Sequence, residues 1–239
     1  MTRVAALADV HGNAPALEAV LAEVQREAPD LVVFCGDLTW GSLPRETLAL
    51  VRALEIPARF VRGNADRITG AEPDFPRGAW MASAHSPEDM AFLDGFEPTV
   101  TVEIERLGMT CFSHGSPRSD EECVTERTPA ERVQEFMAGR DEMVVVTAHV
   151  HLQYDRVVDG IRLLSPGSVG LPSGEGGAAF WALLGPDVEL RRTEYDLEAA
   201  VELMRATDDP SVEVIVELMF DPPSREEVIE DAETRVFAG

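Results

Sequence analysis

An aspartate and a histidine two positions apart, Asp9 and His11, stand where the first apolar run of the chain, residues 4–7, gives out. Alternate side chains of extended backbone point to the same side, so this spacing lets a carboxylate and an imidazole reach one cation. Four later blocks repeat the placement. Gly36-Asp37 follows the apolar run 31–34, Gly63-Asn64 follows 59–61, Ser113-His114-Gly115 follows 109–112, and His149-Val150-His151 follows 143–146. Four of the five histidines and two carboxylates therefore fall at the ends of predicted strands. Layered α/β folds assemble their sites at the carboxyl ends of strands. A set of imidazoles, carboxylates and one amide suits Mn²⁺, Fe, Co²⁺, Ni²⁺ or Zn²⁺ better than the oxygen-preferring Mg²⁺ or Ca²⁺.

The elements that must position these groups alternate in the first half. Leu17, Val20, Leu21 and Val24 form the stripe of an amphipathic helix over 15–26, ended by Pro29. A strand over 31–34, a helix over 44–54 entered at Pro44, and a strand over 58–61 complete a β-α-β-α-β order, which implies parallel neighbours. Residues 68–98 are loosely patterned, with a helix over 87–94. Strands over 99–104 and 109–112 join across Gly108, and a helix over 129–139 precedes the strand 143–146. Asp159-Gly160 between 154–158 and 161–164 is a two-residue hairpin signal, and 178–184 with 188–193 forms another hairpin. The expected fold is α/β, a four-layer α/β/β/α sandwich of two mixed sheets flanked by helices. Residues 1–195 would form the main domain. An acidic helical extension, 196–239 (helices over 197–205, 212–219 and 225–237), would pack on it.

Composition bounds the rest. The chain has 239 residues, 45% hydrophobic and 27% charged, as expected of one globular unit. No apolar run approaches about 20 residues, and Asp9 interrupts the first one before a signal sequence could form. A cytoplasmic location is expected. Cys35, Cys111 and Cys123 form no Cys-x-x-Cys pair and read as buried thiols. The net charge is −24, and all 20 basic residues are arginine. Such a body repels polyanions, which argues against long DNA or RNA. A small phosphorylated molecule is not excluded, because two bound dications create their own positive field.

Taken in order, the five blocks resemble the calcineurin-like metallophosphoesterases, with the resemblance running from about residue 3 to residue 170. Gly63-Asn64-Ala65-Asp66-Arg67 and the Pro-Gly-Ser-Val-Gly stretch at 166–170 are most similar to the compact bacterial phosphodiesterase branch. The resemblance implies two divalent transition metals, Mn²⁺ favoured. Asp9, His11 and His151 would hold one, Asn64, His114 and His149 the other, and Asp37 would bridge them. It implies a hydroxide shared by the metals attacking a phosphodiester of a small molecule, with no protein nucleophile.

Two departures narrow this. Ala65 stands where many members have a histidine that assists the leaving group, which biases the chain toward diesters or acidic leaving groups. Leu38-Thr39-Trp40-Gly41-Ser42 replaces the Asp-Arg-Gly continuation of serine/threonine phosphatases and symmetric diadenosine-tetraphosphate hydrolases, which argues against both. Asn13, Asn64, Arg67 and Arg118 are candidate substrate contacts. For Asn13 a turn, and for the arginines a surface ion pair, is the plainer alternative. Trp40 could stack on a base or simply pack, and His85 reads as a surface residue. A phosphomonoesterase or nucleotide-specific hydrolase shares the same centre. A non-catalytic scaffold, as in the retromer subunit that resembles this family, remains the other alternative. Oligomeric state is left open.

Overall fold

The first three strands lie side by side in the order the β-α-β-α-β reading requires. β1 (Val4–Leu7), β2 (Leu31–Cys35) and β3 (Ala58–Val61) are parallel, with Val4 opposite Leu31 and Val32 opposite Ala58. The computed structural model describes residues 2–68 and 76–235. β9 (Ala179–Leu184) and β10 (Val188–Thr193) form a hairpin whose first strand pairs antiparallel with β1. The first sheet is therefore β10-β9-β1-β2-β3. The second is β4-β5-β6-β8-β7, built from β4 (Thr99–Ile104), β5 (Gly108–Ser113), β6 (Val144–Val146), β7 (Gln153–Val158) and β8 (Ile161–Pro166). In it β5, β6 and β8 are parallel, and β4 and β7 are antiparallel edges. Both sheets are mixed, as expected. The division does not follow the halves of the chain, because the last hairpin returns to the first sheet.

Alternation along each strand sends its two sets of side chains to different cores. Val4 and Ala6 of β1 face Val100, Phe112, Val146 and Leu164 of the other sheet. Ala5 and Leu7 face the opposite way, onto Leu17, Val20 and Val24 of α1 (Ala14–Glu27) and Leu48 of α2 (Pro44–Arg52). Across the molecule, Val145 and Leu163 pack with Val133 and Phe136 of α5 (Ala130–Phe136) and with Ile229 and Ala232 of α8 (Arg225–Thr234). The result is four layers, helix, sheet, sheet, helix. α6 (Leu197–Arg205) and α7 (Val212–Phe220) pack with Ala14 and Leu43 at the edge of the first helical layer. No helix among the described residues is long and apolar enough to cross a membrane.

Three local readings differ. α3 (Pro76–Ala84) and α4 (Pro87–Asp94) both occupy the loosely patterned stretch, where α4 alone was expected. Gly78 and a short apolar set, chiefly Met81 and Ala84, hid α3 from a periodicity argument. The β4–β5 turn lies at 105–107, with Gly108 already in β5 at a φ of 74°. α8 ends at Thr234, and the last two residues of the helix expected over 225–237 lie outside the described residues.

Trp181 is fully buried against α1, and its Nε1 donates to Thr193 Oγ1 at 3.0 Å. Trp181→Ala should cost about 3–5 kcal/mol in urea unfolding. Val157→Ala, at a position 67% exposed, should stay within about 0.5 kcal/mol.

Candidate metal centre

Every expected ligand lies just past the carboxyl end of a strand, Asn64 in a short 3-10 turn. Asp9 and His11 follow β1, Asp37 follows β2, Asn64 follows β3, His114 follows β5, and His149 and His151 follow β6. The loops lock to one another through backbone bonds, His11 N to Asp37 O at 2.9 Å, Ala148 N to His114 O at 2.6 Å and Gly170 N to Asp9 O at 3.0 Å. Turning the chain back so sharply has a cost. Asp9, His11, Asp37, His149 and His151 all have positive φ, between 46° and 68°. Each such residue costs on the order of 1 kcal/mol, and persists because the surroundings over-determine it. Two glycines make the close approach possible. A Cβ on Gly63 would stand 2.1 Å from Asp37 Oδ1, and one on Gly36 would stand 2.5 Å from His114 Nδ1.

The side chains form two clusters, Asp9-His11-His151 and Asp37-His114-His149, with the ligand atoms of each within 4.8 Å of one another. Backbone carbonyls fix three of the rings. Nδ1 of His11 faces Trp40 O at 3.2 Å, Nδ1 of His114 faces Cys35 O at 2.8 Å, and Nδ1 of His151 faces Leu171 O at 2.6 Å. With Nδ1 donating to a carbonyl, the Nε2 lone pair is turned inward. The inward lone pairs then meet one another. His11 Nε2 lies 3.1 Å from His151 Nε2, and His114 Nε2 lies 3.2 Å from His149 Nδ1 and 3.0 Å from Asn64 Oδ1. Asp37 Oδ2 sits between the clusters, 3.6 Å from His11 Nε2 and 3.4 Å from His114 Nε2. Asp9 Oδ1, fully buried, has no hydrogen-bond donor and lies 3.4 Å from His151 Nε2. Acceptors facing acceptors in a buried site call for cations, and the donor set fits divalent metals.

Protonation in the metal-free protein follows the same geometry. Burial and the neighbouring His151 push His11 down to about 4, and burial beside His114 pushes His149 down to about 4. Burial opposes charge on His114, yet Asp37 and Asp9 overcome it and lift His114 to about 10. His151 is raised despite burial, by Asp9. Both aspartates lie below their ordinary range because burial is outweighed, by His151 and His114 at Asp9 and by His114 and His11 at Asp37. A proton on His114 thus stands where a metal would otherwise bind.

The other expected contacts divide. Asn64 is in the cluster. Arg67 stands at the next turn, with Nη2 2.6 Å from Asp120 Oδ2. Arg118 forms a fork with the buried Glu122 at 2.9 and 2.7 Å. Asn13 is 1% exposed and works as a cap instead of facing substrate. Its Oδ1 accepts from Ala16 N, and its Nδ2 donates to Gly170 O and Tyr195 Oη. Asn-x-x immediately before a helix is a capping signal, and here it prevails. His85 is buried, not a surface residue. Its Nδ1 faces Met81 O at 2.7 Å and its Nε2 faces Thr39 Oγ1 at 3.0 Å, bracing the loop that carries Trp40.

Asp66 was the role missed. Its carboxylate accepts from the backbone N–H groups of Asp37 (3.0 Å), Leu38 (2.9 Å) and Gly63 (2.8 Å), tying two ligand loops together. The signal was present as an acidic residue three positions after Gly63, the spacing that reaches back to a turn's own N–H. Burial and the charge of Asp37 push Asp66 up to about 7, against the pull of those N–H groups.

A sequence model of the calcineurin-like phosphoesterase superfamily domain matches residues 2–184, and the chain belongs to that superfamily. An uncharacterized protein from Methanocaldococcus jannaschii is 27% identical, over 83% of this chain and 90% of its own length. The fold is similar to the crystal structure of a metallophosphoesterase from Sphaerobacter thermophilus, at 24% identity and a TM-score of 0.74, covering 92% of this chain and 99% of that one. It is also similar to that of a hypothetical protein from Pyrococcus horikoshii OT3, at 20% identity and a TM-score of 0.76, covering 94% and 100%.

Metal must displace the proton from His114, so the upward shift in melting temperature given by Mn²⁺ should grow from pH 6 to pH 8. The same shifts set the metal-free trend. What His114 contributes is complete below its unfolded value of 6.5 and is lost as pH rises toward about 10. A constant Mn²⁺ effect across that range would contradict the assignment. Asp66→Asn should weaken metal affinity by about 10–100-fold in competition with a chelator.

Proposed function

We propose that the chain is a dinuclear-metal phosphodiesterase acting on small phosphorylated molecules, with Mn²⁺ the favoured metal. Membership of the superfamily supports phosphoester hydrolysis as the reaction class. The observation that carries the dinuclear reading is Asp37 Oδ2, placed between one imidazole of each cluster at 3.6 and 3.4 Å. Two divalent ions held by these groups would supply Lewis acidity and a water acidified into a nucleophile. Two dications against two aspartates leave a formal charge of about +2, which attracts an anionic phosphoryl group inside an acidic protein. Asp37 is aimed by Ala65 N, which donates to its Oδ1 at 2.9 Å. Asn64 and Arg67 are the side chains proposed to touch the phosphoryl oxygens. Arg67 pairs with Asp120 through Nη2 alone and is 42% exposed, whereas Arg118 is left out because two of its nitrogens fork onto the buried Glu122.

Diester preference rests on what is missing beside the leaving group. The sequence holds five histidines, of which four line the centre, and the fifth, His85, is buried against Met81 and Thr39. No imidazole is then spare to protonate a departing alkoxide, so esters with acidic leaving groups are favoured. The intact ligand set, Asp9, His11, Asp37, Asn64, His114, His149 and His151, favours an enzyme over a scaffold. A cytoplasmic setting belongs to the same reading and is supported by three cysteines without a disulfide among them.

Bis(p-nitrophenyl) phosphate should be hydrolysed by the Mn²⁺-loaded protein, and Asp37→Asn should lower kcat at least about 10²-fold. Absence of turnover after loading would overturn the proposal. Across aryl and alkyl esters the rate should fall steeply with leaving-group pKa. Ala65→His should flatten that dependence, raising alkyl esters by up to about 10²-fold relative to p-nitrophenyl esters.

A further inference from the structure

The match to the superfamily model ends at residue 184, yet α8 shares a cavity with two of the candidate metal ligands, His149 and His151. It is docked firmly. Ile229 and Ala232 are 1% and 3% exposed, Arg127 forks onto Glu226 at 2.7 and 2.6 Å, and Thr125 Oγ1 donates to Glu233 at 2.6 Å. Between α8 and the ligand loop that follows β6 is a cavity of about 190 Å³. His149 and His151 line it from one side, and Val228, Asp231, Ala232 and Arg235 from the other. It is smaller than the roughly 300–1,000 Å³ of pockets that enclose whole drug-sized ligands, so it suits one substituent and not a whole nucleotide.

The chemistry of its lining is specific. Val150, Val228 and Ala232 give it an apolar part beside Cys123 and Ser173, and Arg235 is the one arginine among the described lining residues. Arg235 Nη2 lies 2.5 Å from Asp231 Oδ2, but both side chains are more than half exposed, so that pair is held weakly and can be exchanged. We propose that α8 is the substrate-selecting wall of the centre, and that this cavity seats the second alcohol of a phosphodiester. That alcohol is short, partly apolar and tipped by a negative charge that Arg235 meets in place of Asp231. The assignment rests on the phosphodiesterase reading.

Two matched probes test it, p-nitrophenyl propyl phosphate and p-nitrophenyl 2-carboxyethyl phosphate, with the full-length Mn²⁺-loaded protein. The readout is the ratio of kcat/KM for the carboxyethyl over the propyl ester. Arg235→Glu should lower the ratio about fivefold and Asp231→Asn should raise it, with the change residing in KM. Opposite signs from Asp231 on α8 and Arg235 just past its end, both exposed, are not what unfolding produces. A ratio unmoved by both variants, or moved the same way by both, overturns the role of α8 while leaving the phosphodiesterase reading intact. If the wild-type protein turns over neither ester, that reading fails and this one falls with it.

Discussion

The structure depends on a conflict among lone pairs. Nitrogen and oxygen acceptors from five loops are pressed to within 3.0–3.6 Å of one another in a buried site. Left neutral, they repel. Either protons or cations must lie among them, and in the metal-free protein a proton does so on His114. A folded chain keeps such an arrangement only when the rest of the fold holds it and something in its working state relieves it.

What holds it is an arrangement of strand ends. Parallel β1, β2 and β3 in one sheet, and parallel β5 and β6 in the other, bring their carboxyl ends to one edge of the two-sheet core. The loops that follow cannot relax, because Asp66 and the carbonyls of Cys35, Trp40 and Leu171 grip the backbone and the rings from outside. Burying Asp66 for this purpose, with Asp37 beside it, raises its own pKa. The helical layers matter less to the chemistry directly, apart from α8, whose residues share a cavity with His149 and His151.

Much of this was legible in the chain. Strand ends are marked by apolar runs followed by a chemically active residue, so Asp9, His11, Asp37, Asn64, His114, His149 and His151 could be gathered by placement alone. β1 through β3 followed from alternation with helices. The parts that were not legible depend on contacts between distant segments. His85 looks like a surface residue until Thr39 is seen to meet it, 46 positions away. Asn13 sits beside a ligand block but is claimed by the helix it caps and by Gly170 and Tyr195. Arg118 is close to His114 in sequence, yet Glu122 takes its guanidinium. α3 lacks a periodic apolar face long enough to declare itself, and the meeting of α8 with the loop after β6 has no local signature.

The most direct measurement is anomalous diffraction at the Mn edge from crystals of the Mn²⁺-loaded protein. Two peaks about 3.5–4 Å apart are predicted, one among Asp9, His11 and His151, the other among Asn64, His114 and His149, with Asp37 touching both. A single peak, or peaks confined to the acidic surface while the imidazoles keep their metal-free positions, would contradict the account.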